Sequence, residues 1–125
     1  MTAALARFPG QAPIEAYGNG GFRFAGMSHR GSIVCLPSAI VAWPVTSLET
    51  ITPENLVPIL AERAAFSVLL FGIGRQIVPI PGSIVSALKE AGVAFDVMDT
   101  GAAARTYNVL LAERRAVAAA LIAVD

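Results

Sequence analysis

Ser67-Val68-Leu69-Leu70-Phe71, followed at once by Gly72-Ile73-Gly74-Arg75, is the stretch that decides the fold. A continuous apolar, β-rich run stopped by glycine is the pattern of a strand covered on both faces, which predicts a central place in a sheet. Beyond the punctuation of Pro79 and Pro81, Ser83 to Ala91 carries Ile84, Val85 and Leu88 at helical spacing and closes on Gly92. Val93 to Met98 reads as the next strand. Asp99 or Thr100 then caps a helix whose Ala103, Tyr107, Leu110 and Leu111 share one face, reaching Ala112 or Glu113. Strand, helix, strand, helix in this order predicts an α/β domain with helices layered on a sheet.

Upstream, Thr52-Pro53-Glu54 supplies a capping hydroxyl, a proline pre-set for the first helical turn and an acid at the positive end of the helix dipole. Leu56, Ile59 and Leu60 follow at helical spacing, so a helix is expected from Pro53 to about Ala64. Ile14 to Tyr17 and Phe22 to Phe24 flank Gly18-Asn19-Gly20-Gly21, residues that tolerate the positive φ of a tight reversal, and predict a β-hairpin. Gly31 to Leu36 and Ile40 to Trp43 are two short strands ended by Pro37 and Pro44. The run from Ala116 to Val124 is ambiguous, because its alanines favour helix while no polar face recurs at helical period.

The 125 residues suit one core. We expect an N-terminal extension over 1–13 and a single α/β domain over 14–125. Nine basic and nine acidic residues cancel without forming a block of either sign, so the basic stripe that holds nucleic acid is missing and no nucleic acid partner is expected. Charged residues make up 14% against about 25% in ordinary soluble domains. Some surface must therefore be apolar, which points to a protein partner or a homo-oligomer. Gly31 to Leu48 is uncharged but broken by Pro37 and Pro44, so it reads as buried strands and the chain as not membrane-spanning. Met1 to Ala6 is too short an apolar run for an export signal. With one cysteine, Cys35, and one histidine, His29, neither an internal disulfide nor an ordinary zinc site can be built, and a reducing, cytoplasmic setting fits.

Chemistry is sparse. Cys35 sits inside Ile33-Val34-Cys35-Leu36 and reads as a small buried hydrophobe. His29 with Ser28 or Ser32 occupies one short loop, and sequence neighbours rarely reach triad geometry. Gly72-Ile73-Gly74 could bring backbone amides to a phosphate, but the prolines delay the helix that would complete a nucleotide cradle. The richest polar cluster is Asp99-Thr100 with Arg105, Thr106 and Asn108, in a helix otherwise made of alanine and leucine. If the strands before Gly72 and Asp99 are parallel neighbours, Gly72, Gly74, Arg75, Asp99, Thr100, Arg105, Thr106 and Asn108 converge on one crevice at their carboxyl ends. That crevice would bind a partner, or a small ligand in a binding protein or enzyme, or else Thr106 and Asn108 simply fasten the helix to the sheet. No cofactor, metal or catalytic residue is assigned.

Several strings resemble the mitochondrial complex I assembly factor 3 family and its bacterial and archaeal relatives of unknown function. They are Tyr17-Gly18-Asn19-Gly20-Gly21-Phe22, Gly31-Ser32-Ile33, Trp43, Leu70-Phe71-Gly72-Ile73-Gly74, Met98-Asp99-Thr100 and the long run Ala103 to Glu113. The resemblance implies a three-layer α/β domain around a mixed, mostly parallel sheet of about five strands, one of them antiparallel to the rest. It also implies that the final run is a strand after a Glu-Gly-Arg turn, with Arg114 standing here in place of the glycine. For function it implies a non-catalytic assembly factor that works with a partner protein on respiratory-complex subunits, held peripherally at the inner membrane. The Gly72 to Arg75 and Asp99 to Asn108 segments are implied to matter together.

Overall fold

The computed structural model describes residues 7–125. Met1 to Ala6, weighed above as an export signal, lies outside the described residues. In chain order the elements are β1 (Arg7–Pro9), β2 (Ile14–Gly18), β3 (Gly21–Phe24), β4 (Met27–Arg30), β5 (Ser32–Cys35), β6 (Ala39–Trp43), α1 (Val57–Ala61), β7 (Val68–Gly72), α2 (Gly82–Glu90), β8 (Phe95–Met98), α3 (Thr100–Ala112) and β9 (Val117–Leu121). A six-stranded sheet in the order β1-β6-β5-β9-β7-β8 forms the middle layer. One face carries α1 and α2 over a cluster containing Leu56, Ile59, Phe71, Ile84 and Leu88. The other face carries α3 and a separate three-stranded sheet, β2-β3-β4, over Phe22, Phe24, Ala103 and Tyr107. Each fully buried Leu, Ile or Phe among these contributes roughly 1.5–3 kcal/mol by leaving water.

Two expectations about the sheet need correction. It has six strands, and only the β9-β7-β8 half is parallel; β5 runs antiparallel to β9, and the β5-β6 and β6-β1 pairs are antiparallel too. The parallel half needs helical crossovers, which α2 and α3 provide, whereas β5 and β6 are joined by a short turn that can only make an antiparallel pair. The additional strand is β1, three residues paired to β6; it lies within the stretch read as an extension. The hairpin forms as expected, with Asn19 and Gly20 at φ of 52° and 79°, the two positive values of a type I′ turn. It is extended by β4, whose Met27-Ser28-His29-Arg30 has no apolar alternation and is a strand because β3 pairs with it.

The expected helix at Pro53 is split into a 3-10 turn over Pro53–Leu56, the short α1, and a second 3-10 turn over Arg63–Ala65. Pro58 has no N–H to close the first α-helical turn across the junction, so the two pieces cannot merge. The ambiguous alanine run is β9, the strand implied by the resemblance, and Val117 to Leu121 are all completely buried. Between β5 and β7, with layers on both faces, small side chains let the flanking layers approach, and tertiary pairing overrides alanine's helical preference. Arg114 holds the preceding turn at φ 61°.

Candidate functional site

The strands β9, β7 and β8 end side by side, with Leu121 level with Gly72 and Gly72 level with Met98. The chain leaves β7 for α2 on one face and β8 for α3 on the other, which creates the kind of switch point where open α/β sheets take ligands. Here Thr100 fills it. Completely buried, its Oγ1 accepts from the Gly74 N–H at 3.0 Å and donates to the Ile122 carbonyl at 2.7 Å. The Thr100 N–H donates to the Gly74 carbonyl at 2.8 Å. One threonine thereby binds the ends of β7, α3 and β9 together.

Gly72 and Gly74 are glycines for different reasons. A Cβ on Gly72 would lie 3.0 Å from both Thr100 Cα and Leu121 Cδ2 and 3.1 Å from Ala103 Cβ, so helix and sheet are in contact through its missing side chain. Gly74 has open space around it but a φ of 117°, a conformation that other residues adopt only with strain.

In front of this plug lies a small cavity of about 210 Å3 between Tyr17, Gly74, Arg75, Asp99, Gly101 and Asp125. Asp99 Oδ1 accepts from the Ala102 N–H at 2.9 Å and caps α3. The Arg75 guanidinium donates to the Asp125 carbonyl. Arg105 reaches the Tyr17 hydroxyl at 3.3 Å, and that hydroxyl rests where a Cβ on Gly101 would otherwise stand. The hairpin tip closes the far side, the Gly20 N–H donating to the Val124 carbonyl at 2.9 Å. Among the described residues no buried side-chain nitrogen or oxygen lacks a partner.

Of the residues singled out from sequence, Gly74, Arg75 and Asp99 line this cavity, Gly72 and Thr100 wall it from behind, and Arg105 joins its rim through Tyr17. Asn108 lies elsewhere. Its Oδ1 accepts from the Ile14 N–H and its Nδ2 donates to the Ile14 carbonyl, both at 2.8 Å, so the amide takes the place of a neighbouring strand for β2. Tyr107 works beside it, donating to the Ala12 carbonyl at 3.2 Å. Thr106 falls on the opposite flank of α3 from Arg105 and Asn108, away from the cavity. The sequence reading passed over Tyr17, Gly101 and the 122–125 tail. Gly101 carried a signal: a glycine inside a helix costs up to about 1 kcal/mol relative to alanine and implies a close approach.

Ser32 and Cys35 serve the scaffold, while Ser28 and His29 lie on β4 and line shallow surface clefts. Ser32 donates to the Val45 carbonyl at 2.6 Å and accepts from the Ala123 N–H at 2.9 Å. Burial pushes the Cys35 thiol up to about 12, with the Tyr107 hydroxyl pulling weakly the other way. Among the described residues no three His, Cys, Asp or Glu side chains gather as a metal site, and no helix is long and apolar enough to cross a membrane.

A second, larger cleft of about 680 Å3 opens on the other side of the Gly74-Arg75 turn. Its walls include Leu48, Ile73, Val78, Pro79 and Ile122, with Glu49, Arg75 and Asp125 also lining it. On the loop beside it, Ile77 is 64% and Val78 45% exposed. Apolar side chains held in water next to a cleft with apolar walls and a charged rim are what a protein-binding surface presents.

With this geometry in hand, the comparisons with known proteins are specific. An uncharacterised protein of Rhodobacter capsulatus is 38% identical over 92% of this chain and 87% of its own length. The NADH dehydrogenase [ubiquinone] 1 alpha subcomplex assembly factor 3 of Xenopus tropicalis is 35% identical over 87% of this chain, which spans 60% of that relative. A crystal structure described as an outer membrane protein from Bartonella henselae superposes with a TM-score of 0.89 at 52% identity, covering 94% of this chain and 99% of that one. A family profile described as a protein of unknown function (DUF498/DUF598) matches residues 14–122, from the strand that Asn108 holds to the carbonyl that Thr100 holds. The chain is therefore a member of the DUF498/DUF598 family, and the complex I assembly factor 3 proteins are among the proteins it is similar to.

Proposed function

We propose that this chain is a non-catalytic interaction protein that assists assembly of a respiratory membrane complex, acting from the cytoplasm and reaching the membrane through its partner. The observation that supports this most is the exposed Ile77-Val78-Pro79 loop beside the 680 Å3 cleft, read together with relatives named as assembly factors of NADH dehydrogenase. A small-ligand or enzymatic role for the 210 Å3 cavity has less behind it, because Asp99 is used as the α3 cap, Arg75 is drawn to the Asp125 carbonyl and Arg105 to the Tyr17 hydroxyl.

Affinity capture from the native cell in mild detergent tests the proposal. The wild-type chain should recover NADH dehydrogenase subunits, and Ile77→Ser with Val78→Ser should lose them at unchanged melting temperature. Recovery of the protein alone, with normal NADH dehydrogenase assembly in a deletion strain, would overturn it. Self-association, expected from the composition, would use the same apolar loop, and sedimentation across concentration reads it directly.

A further inference from the structure

We infer that the outer edge of the six-stranded sheet, strand β8, is a docking edge for an extended apolar-basic-apolar segment of a partner protein. This rests on the interaction role proposed above and names the chemistry of one partner segment. The argument starts from hydrogen-bond parity. The Leu69 N–H donates to the Ala94 carbonyl at 2.9 Å and the Ile73 N–H to the Met98 carbonyl at 3.0 Å. In a parallel ladder with Leu69 level with Phe95, this alternation turns the backbone groups of Ala94, Asp96 and Met98 toward β7. The N–H and C=O of Phe95 and Val97 therefore point outward, and β8 is the last strand of the sheet. Two donors and two acceptors in a row at strand spacing specify an extended backbone as their partner.

The side chains specify the rest. Phe95 and Val97 lie on the α2 face, packed against its apolar cluster. Asp96 is exposed on the α3 face, level with Leu70 of the opposite cluster. An incoming strand places the residues opposite Phe95 and Val97 on the apolar face and the one opposite Asp96 beside the carboxylate. The fitting sequence is apolar, basic, apolar.

A second copy of this chain fits badly. The two-fold register that pairs all four outward groups sets Asp96 directly against Asp96, and like charges so placed repel. Sliding the register by two residues, the smallest shift that keeps outward groups opposite one another, calls on Val93 in one direction, whose N–H already donates to the Leu88 carbonyl at 3.0 Å, and on Asp99 in the other, whose carbonyl already accepts from the Ala103 N–H at 3.0 Å. The edge is thus guarded against itself while remaining open to a strand of opposite charge.

Amide hydrogen exchange of the isotope-labelled protein tests this with two short capped peptides, one with a Val-Lys-Val centre and one with Val-Glu-Val. The lysine peptide in excess should slow exchange at Phe95 and Val97 by about tenfold, and the glutamate peptide should not. Asp96→Lys, a surface change, should transfer protection to the glutamate peptide. The inference is overturned if neither peptide protects these amides, if both protect equally, or if protection grows with protein concentration alone, the signature of a second copy. None of these readings involves the Ile77-Val78 loop, so this inference and the assembly role can fail separately.

Discussion

At the scale of single residues, the hydrogen-bonding side chains of α3 are divided between scaffold and surface. Asn108 satisfies both backbone groups of Ile14, so Asn108→Leu leaves a donor and an acceptor unpaired and should cost about 1–3 kcal/mol in a denaturant titration. Gly72→Ala should be similarly costly, because two of its three tight contacts are Thr100 Cα and Ala103 Cβ, which cannot move without shifting α3. Arg114 offers the opposite sign. It sits at φ 61°, where a non-glycine residue costs about 1–2 kcal/mol, and glycine gives back about half of that in unfolded-state entropy. Arg114→Gly should therefore raise stability by up to about 1 kcal/mol, and an unchanged or lower midpoint would show that the turn holds no strain. The crevice was legible only in part at this scale. Asp99 and Thr100 announced a cap and Gly74 a special backbone, but the pairing of Asn108 with a strand 94 residues earlier leaves no local trace.

At the scale of elements, β7, α2, β8 and α3 were readable because their signals are local: Val68 to Phe71 is uniformly apolar, Ile84 and Leu88 share a helical face, and Asp99 caps; β9, whose alanines favour helix, was not. The Asp99 cap itself is a clean test, since Asp99→Ala removes one acceptor from the first turn of α3 and should lower stability by about 1 kcal/mol. A change smaller than ordinary surface scatter would mean that the cap is redundant with packing. The other half was less readable because its strands depend on partners distant in sequence. β1 is three residues long and is a strand only through β6. β4 is nearer its partner, but its Met27-Ser28-His29-Arg30 shows no apolar alternation and is a strand only through β3. Pro58 was visible, yet its effect depends on whether the chain stays in one helix, and the structure answers with a 3-10 turn before α1.

At the scale of the whole molecule, stability should carry an alkaline limb set by two groups at the centre of the α3 side. Cys35 and Tyr107 are both completely buried, one on β5 and the other on α3. Burial lifts the Cys35 thiol from its ordinary 9.0 to about 12. Burial lifts the Tyr107 hydroxyl in the same direction, reinforced by the neighbouring Cys35 and opposed by the bond to the Ala12 carbonyl. A raised value in the folded state means that the folded chain holds its proton where the unfolded chain has released it. The unfolded form then binds fewer protons, and stability falls as pH rises. The stabilisation is intact below about pH 9 and is lost progressively toward pH 12, the interval between the two Cys35 values. Cys35→Ala should cost a little stability at neutral pH through its small cavity and flatten the limb, and adding Tyr107→Phe should flatten it further. A wild-type stability that stays level from pH 9 to 12, or a slope that the two substitutions leave unchanged, would mean that these protons are not what the fold protects.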